Sequence, residues 1–128
     1  MLVLLDTSTP TCRLWLVSGE QEFAYEWEAG RTLARDLLAY LRDRLVEHDL
    51  TFSDISGIGV FRGPGSFTGL RIGMTVANTL AAEIPALIVG ATGEAWRAQA
   101  TMRLMRDETD RVVLPEYGGE ANITRPRK

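Results

Sequence analysis

The chain has 128 residues, of which 45% are hydrophobic and 24% charged, values that are ordinary for one globular domain with its own core. A net charge of -3 at pH 7 argues against a surface that grips nucleic-acid phosphates over most of its area. The single cysteine, Cys12, excludes an internal disulfide and a cysteine metal site. No apolar run approaches the ~20 residues that span a membrane. One isolated thiol fits a reducing cytosol, so we expect a cytoplasmic protein.

The first part of the chain predicts three short strands. An apolar run over residues 2–5 is followed by a polar turn that begins at Asp6. Apolar and polar residues then alternate over 13–17 and again over 23–27. Alternation with a period of two is typical of strands, and the short spacing between these segments favours an antiparallel meander.

The middle and later parts predict helices that alternate with strands. Thr32 is placed to cap a helix that extends to about His48, whose apolar face would comprise Leu33, Leu37, Leu38, Leu41 and Leu45. A buried strand over 55–61 leads through a glycine-rich turn into a helix over about 67–83. A short strand over 86–89 and a helix over about 94–106 follow.

This order, β-β-β-α-β-α-β-α, predicts an α/β domain with a mixed five-stranded sheet and helices on its faces. The domain would span residues 1–110, and residues 111–128 would form a C-terminal tail. We expect the chain to double back at about Asp110, to dock residues 112–117 on the domain, and to be mobile beyond Asn122.

The glycine-rich turn is the most specific motif. It comprises Gly63, Pro64, Gly65, Ser66, Phe67 and Thr68, and the string continues to Gly73 as GPGSFTGLRIG. It lacks the Lys-Ser or Lys-Thr of a P-loop, and its glycine spacing is one residue too long for a dinucleotide fingerprint. A strand-turn-helix geometry suits an anion or a closely packed partner; a tight connection is the alternative.

As a literal string, residues 63–73 resemble the signature of the TsaB family, also called YeaZ. These proteins help to make threonylcarbamoyladenosine beside the anticodon of tRNA. The element order also resembles one domain of the actin-like ATPases. The resemblance covers residues 1 to about 100, whereas typical family members continue into a second α/β domain.

The end of the chain carries a further resemblance. Pro115-Glu116-Tyr117 is similar to the Pro-x-Tyr near the C-terminus of family members. The resemblance therefore implies a minimal form of the family that lacks most of the second domain, with residues 111–128 as its remnant.

The resemblance implies a non-catalytic scaffold that binds and activates a TsaD-like subunit, which transfers the threonylcarbamoyl group. A TsaE-like ATPase would join the complex, and tRNA would be reached only through it. A homodimer is the implied assembly when the chain is alone. The chain itself is expected to bind no cofactor, since ATP and a metal are expected in the partner subunits.

The helix after the glycine turn carries small residues four positions apart. Such a stripe packs either on the domain's own sheet or against a helix of another chain, and the resemblance favours the second. It implies a partner interface on the first two helices, comprising Leu33, Leu37, Leu41, Gly69, Leu70, Arg71, Gly73, Ala77 and Ala81.

Two other functions stay open. In actin-like ATPases the first hairpin faces a nucleotide phosphate and its metal, so Asp6, Thr7 and Ser8 are candidate nucleotide-binding residues. With the Gly63–Gly69 turn they would make a small hydrolase or kinase, unless Asp6 only bonds to its own turn. The third function is a homodimeric module for another partner. His48, the only histidine, is expected to be solvated, and no metal site is predicted.

Overall fold

The computed structural model describes residues 1–116. The strands are β1 (Leu2–Asp6), β2 (Thr11–Ser18), β3 (Gln21–Glu28), β4 (Gly57–Phe61) and β5 (Leu87–Ala91). The helices are α1 (Leu33–Val46), α2 (Phe67–Glu83) and α3 (Trp96–Met105), and two 3₁₀ turns, Gly30–Thr32 and Phe52–Asp54, precede α1 and β4. The predicted element order is confirmed.

The five strands form one mixed sheet in the order β3-β2-β1-β4-β5. β1, β2 and β3 pair antiparallel, as expected of strands joined by short turns. β4 pairs parallel with both β1 and β5. Helix α1 connects β3 to β4 and helix α2 connects β4 to β5, and each returns the chain to the same end of the sheet. The predicted α/β fold is confirmed.

The alternation of side chains in β1 divides the core into two layers. Val3 and Leu5 face the layer that α1 and α2 cover. Leu2 and Leu4 face the opposite layer, which α3 covers. Because successive residues of a strand point to opposite faces, β1 is buried on both sides and is apolar throughout residues 2–5.

Two details of α1 differ from expectation. Leu38 is 45% exposed, whereas the other predicted face residues Leu33, Leu37, Leu41 and Leu45 are buried. Thr32 does not cap the helix with its side chain. Its hydroxyl instead donates to the carbonyl of Ala29 at 2.8 Å, because a 3₁₀ turn precedes α1 and supplies a local acceptor.

After α3 the chain reverses and runs along the outer edge of β5. The Asp110 N–H donates to the Ile88 carbonyl at 2.7 Å, and the Gly90 N–H donates to the Asp110 carboxylate at 2.9 Å. The Thr109 hydroxyl bonds both backbone groups of Ile88. We call residues 109–116 the strap.

The strap inserts one apolar side chain into the core. Val113 is 2% exposed, whereas Val112 and Leu114 are 60% and 66% exposed. The predicted reversal and docking are confirmed as far as Glu116, and of the three apolar residues 112–114 only Val113 is buried. The chain bends at residues 111–112, and the Asn78 side chain bonds both backbone groups of Val113, which holds this residue against α2. Tyr117 and the stretch beyond Asn122 lie outside the described residues.

Candidate functional site

The glycine-rich turn connects β4 to α2 as the sequence predicted. Gly63 has a positive φ of +105°, and the Gly63–Pro64 peptide bond is cis. A Cβ at Gly63 would meet both Leu70 and the carbonyl of Glu116, so the position requires glycine for conformation and for space. Ser66 caps α2 because its hydroxyl oxygen accepts the Gly69 N–H at 3.3 Å.

The turn and α2 pack directly on the turn between β1 and β2. The Ser66 N–H donates to the Ser8 carbonyl at 2.8 Å, and the Thr7 hydroxyl donates to the Gly69 carbonyl at 2.7 Å. A Cβ at Gly65 would overlap Ser8, and one at Gly73 would overlap the Thr7 side chain. These glycines therefore serve a close contact within the domain.

This packing corrects the predicted partner interface. The spacing of four does place the small residues on one face, but that face points into the domain. Of the nine residues assigned to a partner, seven are buried in the chain's own core: Leu33, Leu37, Leu41, Leu70, Gly73, Ala77 and Ala81. Gly69 is half-buried against Thr7, and Arg71 alone is exposed.

The candidate nucleotide residues form a self-bonded turn. One carboxylate oxygen of Asp6 accepts both the N–H of Ser8 at 2.9 Å and its hydroxyl at 2.6 Å. Thr7 and Ser8 are 1% and 9% exposed. The turn interpretation accounts for these contacts, while nucleotide binding stays a prediction. Within residues 1–116 no three His, Cys, Asp or Glu side chains are grouped so as to hold a metal ion.

His48 is half-buried just after the end of α1, whereas the sequence predicted a solvated residue there. Its Nε2 lies 2.7 Å from the Tyr25 hydroxyl, and its ring lies on Phe23 with centroids 4.2 Å apart. These contacts tie the end of α1 to β3. Sequence spacing cannot reveal such a contact, because strand and helix lie more than 20 residues apart along the chain.

Cys12 is the other group that chemistry might use. Its side chain is buried, and burial together with the nearby negative charge of Asp6 raises the pKa of the thiol to about 12. The thiolate is the nucleophilic form of cysteine. This environment therefore disfavours reactivity at Cys12 and assigns it to the core.

The outer face of α1 and α2 carries a surface of which the predicted partner interface included only Arg71. A groove of about 290 Å³ runs between the helices and is lined by Ala34, Arg71, Ile72, Thr75 and Val76. We call it the α1–α2 groove. The helical spacing offers a signal for this surface. The outward positions of α1 and α2 are those that fall between the regularly spaced leucines and alanines of the buried faces.

Two large apolar side chains extend this face. Leu38, one turn after Ala34 on α1, is 45% exposed, and Phe67 at the start of α2 is 52% exposed. The Arg71 guanidinium lies 5.2 Å from the centre of the Phe67 ring. The face therefore combines apolar contact area with one cation, a composition common in protein interfaces.

A second concave region adjoins the N-terminus of α2. It has a volume of about 420 Å³, and Thr9, Pro10, Gly30, Arg31, Leu33, Ser66, Thr68, Gly69 and Ile72 line it. The signature turn contributes Ser66 and Thr68 to this wall. Ser66 is already engaged as the α2 cap, so the polar groups here serve the local fold at least in part.

The fold and the turn can be compared with known proteins. A family model described as TsaD, tRNA N6-adenosine threonylcarbamoyltransferase, matches residues 27–108. The tRNA threonylcarbamoyladenosine biosynthesis protein TsaB of Escherichia coli (strain K12) is 32% identical over 111 residues, which cover 81% of this chain and 48% of the relative. The chain belongs to the TsaB (YeaZ) family.

Other members of the TsaB family agree. The TsaB protein of Haemophilus influenzae is 31% identical over 109 residues, covering 84% of this chain and 45% of that protein. The solved structure of YeaZ from Pseudomonas aeruginosa superposes with a TM-score of 0.68 at 32% identity, over 82% of this chain and 49% of that one. The chain thus spans about half the length of the TsaB relatives that it matches. No helix within residues 1–116 is long and apolar enough to cross a membrane.

Proposed function

We propose that the chain is a non-catalytic subunit in tRNA threonylcarbamoyladenosine biosynthesis, which binds a TsaD-like subunit and activates it. Membership of the TsaB family supports the pathway. The observation that carries the binding role is the α1–α2 groove together with two large apolar side chains on the outer sides of the same helices, Leu38 and Phe67, which are 45% and 52% exposed. Apolar side chains exposed together on two packed helices are typical of a surface that another protein covers.

The interface is proposed on the outer sides of α1 and α2, and not on the small-residue stripe. The family match over residues 27–108 includes both helices, so a TsaD-like partner would carry a related helix pair. Two such pairs pack against each other by setting the side-chain ridges of one into the grooves of the other. Ala34 and Thr75 would lie within this contact.

The rest of the proposal follows the family. The chain would bind no cofactor itself, while ATP and a metal would be held by partner subunits, including a TsaE-like ATPase. It would reach tRNA only through the complex, in the cytoplasm, and pair with itself when alone. Residues 1–110 are proposed as one domain of the TsaB type, and residues 111–128 as the segment that follows it.

Reconstitution tests this function. The cognate TsaD-like and TsaE-like subunits, with the enzyme that makes threonylcarbamoyl-adenylate, are incubated with unmodified tRNA, and modified adenosine is measured by mass spectrometry. We expect modification to depend on adding this chain. Equal modification without the chain would refute the scaffold role.

A matched pair of variants locates the interface. Ala34 and Ala98 are both exposed alanines on helices, but Ala34 lies on the α1–α2 face and Ala98 on α3, across the sheet. We expect Ala34→Glu to weaken binding to the TsaD-like subunit and Ala98→Glu to leave it unchanged. If Ala98→Glu is the disruptive one, the partner binds on α3.

A small nucleotide hydrolase is the less favoured function. The Asp6 carboxylate is engaged by Ser8, and α2 packs closely on Thr7 where an actin-like phosphate site would open. A homodimeric module for another partner would use the same α1–α2 face. Self-association without any effect of the TsaD-like subunit would favour it.

A further inference from the structure

Arg71 and Thr75 on the outer side of α2 line two grooves. One is the α1–α2 groove. The other, of about 210 Å³, lies on the opposite side of α2, where the strap passes. We call it the strap groove; its lining comprises Arg71, Met74, Thr75, Asn78, Val113, Leu114 and Pro115. α2 therefore forms a ridge between two grooves.

The strap wall of this second groove is held firmly by hydrogen bonds. The Asn78 side chain bonds both the N–H and the carbonyl of Val113, each at 2.9 Å. Arg62 donates from Nε to the Leu114 carbonyl at 2.8 Å, and its own carbonyl accepts the Glu116 N–H at 2.7 Å.

These bonds fix the backbone on both sides of Leu114 while its side chain stays 66% exposed. A leucine held in place by its backbone loses little further backbone freedom when a partner covers it. Leu114 is thus presented to solvent in a fixed position beside α2.

We propose that Leu114 and Pro115 form the second half of the partner-binding face, so that a TsaD-like partner contacts α2 on both sides. This inference rests on the proposed function. The two grooves share Arg71 and Thr75 on the ridge between them, so a partner seated in the α1–α2 groove can extend over the ridge into the strap groove.

The shape of this face matches a helix pair. Two grooves separated by one ridge are complementary to two neighbouring helices, whereas a single helix fills one groove. The matched region of the TsaD-type family model includes the equivalents of α1 and α2. Arg71, the charged residue shared by both grooves, favours a carboxylate on the partner at the centre of the contact.

The strap offers a matched pair of variants for the test. Leu114 and Val112 are exposed to similar extents, 66% and 60%, in the same segment, but only Leu114 lines the strap groove. Binding of the full chain to the cognate TsaD-like subunit is measured by calorimetry for wild type, Leu114→Glu and Val112→Glu. Circular dichroism and melting temperature report the fold of each variant.

We expect Leu114→Glu to weaken binding by about tenfold or more, the loss typical of an interface residue that matters, and Val112→Glu to stay within about twofold. Leu114→Ala should weaken binding less but in the same direction. It keeps the test valid if the charged variant melts early.

Other outcomes overturn the inference in distinct ways. If wild type binds and Leu114→Glu binds equally well, the strap lies outside the interface and the proposed function stands. If both charged variants weaken binding to the same extent, the loss does not come from the strap groove, because Val112 lies outside it. If wild type does not bind, the proposed function fails and the inference fails with it. If Leu114→Glu affects only self-association, the occupant is a second copy of this chain.

Discussion

The Arg103 guanidinium on α3 grips the Asp110 carboxylate of the strap through two hydrogen bonds, of 2.6 and 3.1 Å. Asp110 also accepts the N–H of Gly90 in β5. One carboxylate thus joins a helix, the strap and the edge of the sheet. Hydrogen bonds to an ionised group are stronger than neutral ones, so the charge state of Asp110 matters to the fold.

This contact predicts a dependence of stability on pH. The hydrogen bond from Arg103, supported by that from Gly90 and opposed by partial burial, lowers the pKa of Asp110. A carboxyl whose pKa is lower folded than unfolded stabilises the fold above its unfolded pKa of about 4, and loses that contribution as the pH falls through the folded pKa. We expect Asp110→Asn to melt earlier than wild type at pH 7.

The difference in melting temperature between Asp110→Asn and wild type should narrow as the pH falls from 6 towards 3, since wild type then loses the same charge. Thermal melts at a series of pH values measure it. Asp107→Asn, at an exposed position of the same reversal, is the control and should follow wild type. A constant difference at every pH would show that Asp110 acts through shape and not through charge.

Asn78→Ala should loosen the strap. The substitution removes both bonds to Val113, and each buried polar group left without a partner costs about 1–3 kcal/mol. We expect the melting temperature to fall by several degrees, and the Val113 amide to exchange faster with deuterium. Thr79→Ala, at the exposed neighbouring position on α2, is the control. An unchanged melting temperature would mean that the other contacts of the strap hold it without the bonds from Asn78.

Gly73→Ala should destabilise the domain, although alanine favours helices over glycine by about 0.5–1 kcal/mol. A Cβ at this position overlaps the Thr7 side chain, and overpacking costs typically about 1–3 kcal/mol. Denaturant unfolding measures the net effect. In a Thr7→Ala background the cost of Gly73→Ala should shrink, because the overlapping atoms are gone. Additive effects of the two substitutions would argue against this contact.

The purified chain with ATP and magnesium should hydrolyse ATP no faster than buffer. The reason is that Asp6 and Ser8 bond to each other. In addition, residues 7–8 already occupy the space beside Gly65, Gly69 and Gly73, so no room is left there for a phosphate. Phosphate release is the measurement, with Asp6→Ala as the comparison. Turnover that disappears in Asp6→Ala would promote the hydrolase function over the scaffold.

The elements themselves were largely predictable. α2 begins at Phe67 and ends at Glu83, as expected, because Ser66 caps it and its apolar spacing is regular. Among the three N-terminal strands, β1 followed from its apolar run and β2 and β3 from the alternation of apolar and polar residues. Local signals of this kind lie within a few residues of each other along the chain, so they can be read from the sequence alone.

What each helix face packs against was less predictable. Four-residue spacing placed Gly69, Gly73 and Ala77 on one side of α2 but could not tell whether Thr7 or another chain lay opposite. The bond from Asn78 to Val113 spans 35 positions and depends on where the strap crosses α2. Contacts of this range follow from the assembled fold and not from local pattern.

The strap also bears on how the protein is made. β5 is an edge strand, and on its outer side Thr109 and Asp110 pair both backbone groups of Ile88 and the N–H of Gly90. An unpaired edge is a template for joining other chains. Since the strap follows every strand and helix described, a nascent chain carries an open β5 edge until the strap has also emerged from the ribosome. Completion of the strap is then the moment at which intermolecular strand pairing, and with it aggregation, stops competing with the native sheet.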